Sequence, residues 1–531
     1  MRIFTGVFRH LATSLILSAS AVFAGVFVGV SLSQAETSEK ASALPVFRFH
    51  VPTEPASLDP LLVVSTDASY FLNNVMRGLY SYADDKGLVL EDAKSCRLKL
   101  DAKKIQTVEC ELADDAKWSD GSSVVADDYV RGFRRLIGAG SRSAAVELLR
   151  NLKNAGAVHS GKLPTTALGL RAIGSRKLEF EFEKVDPDFL YKLTSSVLVP
   201  LKTDAFPSRE KSSEAVVNGP YRVVSWTSGR RVRLEPNVNY SRGLRERPPV
   251  EVLFLEDDET AYNLYAQGEL SYLRRLPTSE IPRAKLRKDF YQIPIARFDY
   301  MGFGPGLTEQ PHLREALMYG AEFKELGKIY DALGMPGCPS LPRRLMADEP
   351  CLMFDLARAK KALAKVSPDV LKRRFTLGYS KLGGDDVKRG AEWWQAQWKK
   401  HLGLTFDLES AEQGVYIARL RTNAPDVFRK GIGLDRPTCL AGMETFITGG
   451  AENFVKFENT NFEKTVTRLS VETSESKKKR LCTDAMNELM AQNRLIPLGR
   501  IHFTLLASPK FTGWKLNEMN QLDLARLRAA R

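Results

Sequence analysis

The sequence predicts an α/β protein in which helices pack against sheets. Val46 to Val51 is a short apolar alternation typical of a strand. Val130, Phe133 and Ile137 recur at helical spacing, with arginines on the opposite face. Segments of these two kinds alternate along the whole chain, without an internal repeat. Such alternation favours layers of helices on mixed sheets over an all-helical or all-strand fold.

Local signals in the N-terminal half place further elements. After the first strand, two prolines in Glu54–Pro60 require an extended turn. Residues 67–80 then carry apolar side chains at helical spacing, which predicts a helix. Asp120-Gly121 predicts a turn, because glycine accepts a positive φ angle. The helix that carries Val130 then starts at about Asp127.

The C-terminal half shows the same alternation. Val250 to Leu255 predicts a strand, and Thr260 to Gly268 a helix that ends at its glycine. Asp355 is a suitable N-cap for the next amphipathic helix. Two further stretches, Tyr291–Phe298 and Leu495–Leu506, are strand-like, and about 200 residues of chain lie between them.

Length and charge limit the class of protein. The chain has 531 residues, which corresponds to about three or four domains. Apolar residues make up 44% and charged residues 27%, which excludes a disordered or collagen-like chain. The formal charge of +13 is consistent with a nucleic acid, an anionic envelope surface or an acidic ligand as partner. Basic runs without interleaved aromatic residues, together with predicted export, argue against nucleic acid.

The N-terminus is predicted to be a signal peptide. Arg2 and Arg9 flank the start, Leu11 to Val30 is apolar and uncharged, and small residues lead to a cleavage point after Ala35. Removal of residues 1–35 takes away two arginines and no acid, so the charge falls from +13 to +11. We therefore predict a periplasmic protein, and one that is not a lipoprotein, because no cysteine lies near the cleavage point. A retained membrane anchor is the alternative.

The six cysteines favour disulfides in an exported chain. Cys96 and Cys110 bracket two strand-like runs and can join a hairpin, whereas Cys338 and Cys351 bracket a Pro-rich loop. Cys439 and Cys482 are left over. Six cysteines allow about 15 pairings, so these pairs are hypotheses.

Motifs for catalysis, phosphate binding and metal binding are absent from the sequence. No C-x-x-C occurs, and no histidine lies within a helical turn of another histidine or a cysteine. We therefore predict no catalytic residue, no metal site and no cofactor. An envelope hydrolase would need a nucleophile with a neighbouring base, for which the sequence offers no candidate.

Short motifs occur in a fixed order along the chain. The motif E-P-x-S-L-D-P at Glu54–Pro60 and the motif W-S-D-G at Trp118–Gly121 are the most specific. The others are Arg77–Tyr80, Asp128 with Phe133 and Arg134, Gly219–Tyr221, Gly268–Leu270, Arg314–Leu317, Asp355–Leu363 and Trp398–Gly403. This collinear set, which extends from about residue 46 to the last 30 residues, resembles one known family in the same order: the oligopeptide-binding branch of the extracellular solute-binding proteins of ABC importers (family 5).

The resemblance implies a two-lobed periplasmic-binding-protein fold (type II-like), with an extra subdomain in the first lobe. After the signal peptide (1–35), lobe I comprises 36–76, 205–297 and 498–531. The extra subdomain comprises 77–204, and lobe II comprises 298–497. The strand-like segments around 291–298 and 495–506 are the expected crossings between the lobes.

The resemblance also implies a ligand site. In this family the free amine of a peptide meets a carboxylate in a G-W-x-x-D segment, which here corresponds to Gly431-Ile432-Gly433-Leu434-Asp435. Asp435 is thus the candidate amine-binding residue, and a surface or turn carboxylate is the alternative. This chain departs from the pattern at Ile432 in place of Trp and at Arg436 in place of Tyr. Arg436 has two predicted roles, either binding a ligand carboxylate or neutralising Asp435. The other candidate site residues are the basic Arg421 and Arg429 and the backbone-pairing segment Val64, Ser65 and Thr66.

The implied function is that of a periplasmic solute-binding protein. It would capture peptides between its lobes as a monomer and deliver them to an inner-membrane ABC permease with its ATPase, without enzymatic activity. A receptor of the same fold for acidic ligands such as cell-wall peptides is one alternative. A sensory or interaction protein without transport is another.

Overall fold

An eight-stranded sheet forms the centre of one lobe. In the computed structural model, which describes residues 44–62, 66–103, 105–330 and 333–530, the first strand pairs in parallel with strands on both sides, and the remaining ladders are antiparallel. The strands, in spatial order, are Phe290–Pro294, Arg500–Ala507, Tyr272–Leu273, Phe47–Val51, Val250–Phe254, Arg231–Pro236 and Tyr221–Thr227, with Leu333–Gly334 added beside Arg500–Ala507. The predicted signal peptide lies outside the described residues.

A separate five-stranded sheet forms the centre of the other lobe. Its order is Phe406–Ala411, Phe375–Ser380, Val427–Gly433, Arg297–Phe303 and Leu495–Pro497. The first three strands run in parallel, and Arg297–Phe303 is antiparallel to both of its neighbours. The Arg297–Phe303 strand is almost wholly buried.

The chain passes between the two sheets at two neighbouring points. Residues 294–297 connect the edge strand of the eight-stranded sheet to the five-stranded sheet, and residues 497–500 return. The backbone N–H of Ile295, in the first connection, donates to the carbonyl of Ile501, in the strand that follows the second, so the two crossings lie side by side. Buried apolar residues form one large cluster around each sheet. The predicted two-lobed α/β fold is therefore confirmed, because each sheet has its own core.

A four-stranded antiparallel sheet extends the first lobe. Its order is Ala93–Leu100, Gln106–Leu112, Lys177–Glu181 and Leu170–Ile173. The helix Ala126–Ile137 buries Phe133 against this layer. A hairpin of Tyr80–Ala83 and Gly87–Leu90 precedes the sheet, and two small two-stranded sheets lie near the C-terminus, formed by Phe511–Thr512 with Arg528–Ala529 and by Lys515–Leu516 with Leu522–Asp523. This layer shares the buried cluster of the first lobe.

Helices cover both sheets. The α-helices are Thr66–Leu72, Ala126–Ile137, Ala155–His159, Phe189–Lys192, Asp258–Ala266, Ile281–Ala284, Pro311–Tyr319, Phe323–Ile329, Leu356–Leu363, Pro368–Lys372, Gly384–Leu402, Gln413–Thr422, Cys439–Glu444, Thr460–Leu469 and Glu475–Ala491. Asp355 is an N-cap as predicted, because its Oδ1 accepts the backbone N–H of Arg358 at 2.9 Å. Within the described residues no helix is both long and apolar enough to cross a bilayer.

The helix predicted over residues 67–80 is shorter than expected. It ends at Leu72, and a strand begins at Tyr80. Asn74 explains the end, since its side chain donates to the carbonyl of Leu522 at 2.8 Å and accepts the N–H of Leu524 at 2.8 Å. These bonds to the C-terminal segment replace the next helical turn. Apolar spacing within residues 67–80 cannot predict them, because the partners lie at Leu522 and Leu524.

Three disulfides are present, and they join the pairs proposed from the sequence. Cys96 and Cys110 lie opposite each other in adjacent strands, and Cys338 is bonded to Cys351 across the Pro-rich loop. Cys439 is bonded to Cys482, 43 residues away, which ties the helix Cys439–Glu444 to the helix Glu475–Ala491. Disulfide bonding is thus confirmed.

Candidate functional site

The candidate amine-binding segment begins as a strand of the five-stranded sheet. Val427–Gly433 pairs along its whole length with Arg297–Phe303, with Gly431 opposite Asp299 and Gly433 opposite Arg297. The buried Leu434 donates its N–H to the carbonyl of Ala296 at 3.0 Å. The chain then leaves the sheet, so Asp435 and Arg436 lie just beyond the strand end.

Arg436 is the centre of a group of ion pairs. Its Nη1 lies 2.8 and 3.0 Å from the two carboxylate oxygens of Asp435, and its Nη2 lies 2.7 Å from Oε2 of Glu444. Its Nε donates to Oδ2 of Asp188 at 2.9 Å. The Arg436 side chain is 3% exposed, whereas that of Asp435 is 51% exposed. We call Arg436, Asp435, Asp188, Glu444 and Thr438 the Arg436 cluster.

The Arg436 cluster includes one residue from the first lobe. Asp188 directly precedes the helix Phe189–Lys192, and its carboxylate also accepts a hydrogen bond from Thr438 Oγ1 at 2.5 Å. Glu444 makes a second contact to the first lobe, since its Oε1 accepts from Arg150 Nη2 at 2.8 Å. The cluster therefore connects the two lobes.

The charges around Arg436 do not balance. Burial by itself would lower the pKa of Arg436, but the three neighbouring carboxylates outweigh it and raise that pKa above the ordinary value. Arg436 and Arg150 carry two positive charges against the three negative charges of Asp435, Asp188 and Glu444. One negative charge remains, and Asp435 is the most exposed acid of the three.

A second charged group surrounds Asp299 in the neighbouring strand. Asp299 is fully buried and pairs with Arg297, whose Nη2 lies 3.0 Å from Oδ1, and with Arg429, whose Nη2 lies 2.8 Å from the same oxygen. Arg429 Nε is buried without a hydrogen-bond partner among the described residues. Two arginines around one carboxylate give this Asp299 cluster an excess positive charge.

Glycine at 431 leaves room for that pairing. A Cβ at this position would lie 1.9 Å from Arg297 Nη2 and 2.5 Å from Asp299 Oδ1. A Cβ at Gly433 would meet nothing within 4 Å. Gly431 thus has a specific steric role that Gly433 lacks.

The other predicted site residues are distributed differently. Ile432 packs against the core of the second lobe. Arg421 lies in the last turn of the helix Gln413–Thr422, is 55% exposed and lies 3.8 Å from Glu452. Within the part of the chain that the structure describes, it forms no ion pair with either charged cluster. Thr66 is the first residue of a helix, and Val64 and Ser65 lie outside the described residues.

Sequence reasoning missed Asp188, Glu444, Asp299 and Arg297. A charged residue within the apolar run of the Arg297–Phe303 strand was a usable signal for Asp299, because a buried acid needs a partner. The sequence around Asp188 carries no distinct signal of a site, and 248 residues separate it from Arg436. No local pattern could have connected the two.

A cavity of about 640 Å³ lies beside the Arg436 cluster. Residues 184–187 and Lys192 of the first lobe line one side, and Arg436, Leu440 and Glu444 of the second lobe line the other. The cavity is therefore bounded by both lobes and by charged side chains.

Two α/β lobes, joined by two crossings and meeting at a charged cleft, define a two-lobed binding protein. Residues 102–454 match the family model of the bacterial extracellular solute-binding proteins, family 5 (middle region), and the chain belongs to this family.

The chain is similar to the oligopeptide-binding protein OppA of Bacillus subtilis, with 23% identity over 514 residues that cover 92% of this chain and 94% of that protein. It is also similar to the probable deoxycholate-binding periplasmic protein YgiS of Escherichia coli, with 24% identity over 495 residues, 89% of this chain and 91% of that protein. The structure of the Escherichia coli murein tripeptide binding protein MppA superposes with a TM-score of 0.73 at 21% identity, covering 92% of this chain and 99% of that one. That likeness supports the same fold.

Proposed function

We propose that the protein binds peptides between its two lobes and delivers them to an ABC import permease. The observation that carries this proposal is the similarity to an oligopeptide-binding protein over nine-tenths of both chains, within a family of solute-binding proteins. The charged residues between the lobes support the proposal, because a peptide has a cationic and an anionic end.

Asp435 is the proposed partner of the peptide amine. Its carboxylate is held in place by Arg436 on one side and is half exposed on the other. The Arg436 cluster and Arg150 together carry one negative charge in excess, so an ammonium group would complete the charge balance. A charge-assisted contact of this kind is worth about 1.5–3 kcal/mol.

Native mass spectrometry of the freshly exported protein tests the ligand class directly. We expect a co-purified peptide that is released unchanged in mass. Calorimetry with that peptide then tests the site: Asp435→Asn should weaken binding about tenfold or more. Asp407→Asn, which removes an exposed carboxylate on the outer strand of the same sheet, should bind as the unaltered protein does. Equal affinity of the Asp435 variant would remove Asp435 from the site.

A preference for acidic ligands is a second candidate function. The Asp299 cluster favours it, since Arg297 and Arg429 together exceed the charge of Asp299, and Arg429 Nε has no hydrogen-bond partner within the described parts of the chain. Acidic peptides such as cell-wall fragments would supply the missing anion. Peptides with a free carboxyl terminus should then bind more tightly than their amides, and deoxycholate provides a non-peptide anion for comparison.

The remaining properties follow the same proposal. We expect no enzymatic turnover of a captured peptide, no cofactor and a monomeric protein. We propose a signal peptide cleaved after Ala35, so that N-terminal sequencing of the exported protein begins at Glu36; retention of Met1 would contradict this.

We propose the following domain boundaries for the chain after the signal peptide. Lobe I comprises 36–76, 205–297 and 498–531, the extra subdomain comprises 77–204, and lobe II comprises 298–497.

A further inference from the structure

The two lobes meet at a buried ion pair. Asp188 directly precedes Phe189, which belongs to the apolar core of the first lobe, and Arg436 lies two residues after Leu434, which belongs to that of the second. Their side chains are 4% and 3% exposed, and Oδ2 of Asp188 lies 2.9 Å from Nε of Arg436. The contact thus joins two separately packed bodies.

The partners of Asp188 lie across the interface. Among the described residues, the hydrogen bonds to its carboxylate come from Arg436 and Thr438, both of the second lobe. Although Asp188 lies at a helix N-terminus, its side chain does not cap that helix. The hydrogen bonds that satisfy this buried carboxylate in the structure therefore depend on the second lobe. Its position is suited to the state in which the lobes are together.

We propose that Asp188, Arg436 and Thr438 form a clasp that stabilises the closed arrangement of the lobes. Closure traps a ligand, so a clasp that favours the closed state slows ligand release and tightens apparent binding. Only this consequence for the ligand rests on the proposed function. The effect of the clasp on closure is a property of the protein by itself.

Other contacts between the lobes limit the expected effect, and the pair of Arg150 with Glu444 is one of them. Arg344, which lies in the segment between the crossings, donates to the hydroxyl of Tyr82 at 2.6 Å on the opposite lobe. Loss of the clasp should therefore shift the equilibrium between open and closed forms rather than abolish closure.

The chain offers a matched control two residues away. Asp186 forms an ion pair with Lys192 at 2.6 Å, and the two side chains are 3% and 4% exposed. Asp186 and Lys192 both lie in the first lobe, so Asp186→Asn removes an equally buried carboxylate from within one lobe. Asp188→Asn removes one from between the lobes.

Small-angle X-ray scattering and hydrogen exchange of the ligand-free protein test the clasp without any assumption about the ligand. Asp188→Asn should increase the radius of gyration and speed amide exchange in residues 436–444, whereas Asp186→Asn should change neither. With a peptide that binds, Asp188→Asn should raise the dissociation rate roughly tenfold to hundredfold.

Unchanged scattering and exchange in a folded Asp188→Asn protein would overturn the clasp, as would equal changes in both variants. If Asp188→Asn does not fold, Arg436→Lys provides the same test, because it keeps the charge but loses the three-way geometry. Failure of the unaltered protein to bind any peptide would overturn the proposed function. The scattering and exchange of the ligand-free variants would still show whether the clasp favours closure.

Discussion

Arg135 holds Asp59 through two parallel hydrogen bonds. Nη1 lies 2.8 Å from Oδ1 and Nη2 lies 2.6 Å from Oδ2. Asp59 belongs to the Pro-containing turn after the first strand and is 6% exposed, whereas Arg135 lies in the last turn of the helix Ala126–Ile137. This bidentate pair ties the turn to the helix of the neighbouring layer.

Replacement of Asp59 should therefore destabilise the first lobe. Asp59→Asn removes the acceptor charge from a largely buried bidentate pair, and we expect a loss of about 1.5–3 kcal/mol in the free energy of unfolding. Urea denaturation measures this. Asp407→Asn breaks the exposed pair with Arg374 and serves as the control, for which we expect no measurable change. Equal stability of both variants would contradict the assigned role of the Asp59 pair.

The same pair illustrates how far the sequence could predict the fold. Spacing alone located the helix 126–137 and its apolar face, because that face repeats with the helical period. Its arginines appeared to be solvated, since no local pattern pointed to Asp59 some 76 residues earlier. The shortened helix at Leu72 has the same cause, in that Asn74 is bonded to a distant segment.

The candidate site was predictable to a similar extent. Asp435 and Arg436 are adjacent in sequence, so an ion pair between them was a natural expectation, and the structure contains that pair. Asp188 and Arg150 enter the site from the other lobe, and only the fold brings them there. The sequence thus supplied candidate residues on one side of the cluster, while those on the opposite side depend on tertiary contacts.

The disulfides should differ in how much they stabilise. A crosslink restricts the unfolded chain more when it closes a longer loop. The chain-entropy relation assigns about 4 kcal/mol to Cys439–Cys482, which spans 43 residues, and about 3 kcal/mol to Cys96–Cys110, which spans 14. Urea denaturation of the two paired Cys→Ala variants compares them. A larger loss for the 96–110 pair would contradict the entropic account.

Asp92 should make stability depend on pH. Burial raises its pKa to about 7, although Tyr129 and Asn218 donate hydrogen bonds to its Oδ2. Between about pH 4, where the unfolded carboxyl ionises, and pH 7, the folded protein holds one more proton than the unfolded chain. Stability contributed by Asp92 is therefore lost as the pH rises through this window, with a slope of up to about 1.4 kcal/mol per pH unit.

The variant Asp92→Asn isolates that contribution. The two pKa values of Asp92 bound the interval from about pH 4 to pH 7. Over this interval the free energy of unfolding of the variant should fall less than that of the unaltered protein. Asp204→Asn, which changes a carboxylate that is 91% exposed, should leave the pH profile unchanged. Parallel profiles for the Asp92 variant and the unaltered protein would show that Asp92 ionises alike in both states.

Gly431 provides the sharpest test of the second charged cluster. In Gly431→Ala the new methyl group would overlap both Arg297 Nη2 and Asp299 Oδ1. Arg297 can move toward solvent, because its side chain is 29% exposed, but Asp299 is fully buried and cannot. The buried carboxylate would then keep Arg429 and lose Arg297, and we expect a cost of about 1.5–3 kcal/mol in stability.

Gly433→Ala is the matched control, since it lies in the same strand and its Cβ meets open space. Chemical denaturation should place this variant close to the unaltered protein, and calorimetry with an acidic peptide should show weaker binding for Gly431→Ala alone. Binding that weakens while stability stays constant would mean that Arg297 acts on the ligand rather than on Asp299. Equal behaviour of the two alanine variants would contradict the steric argument, because a methyl group at position 431 would meet Arg297 and Asp299, whereas one at position 433 would meet nothing within 4 Å.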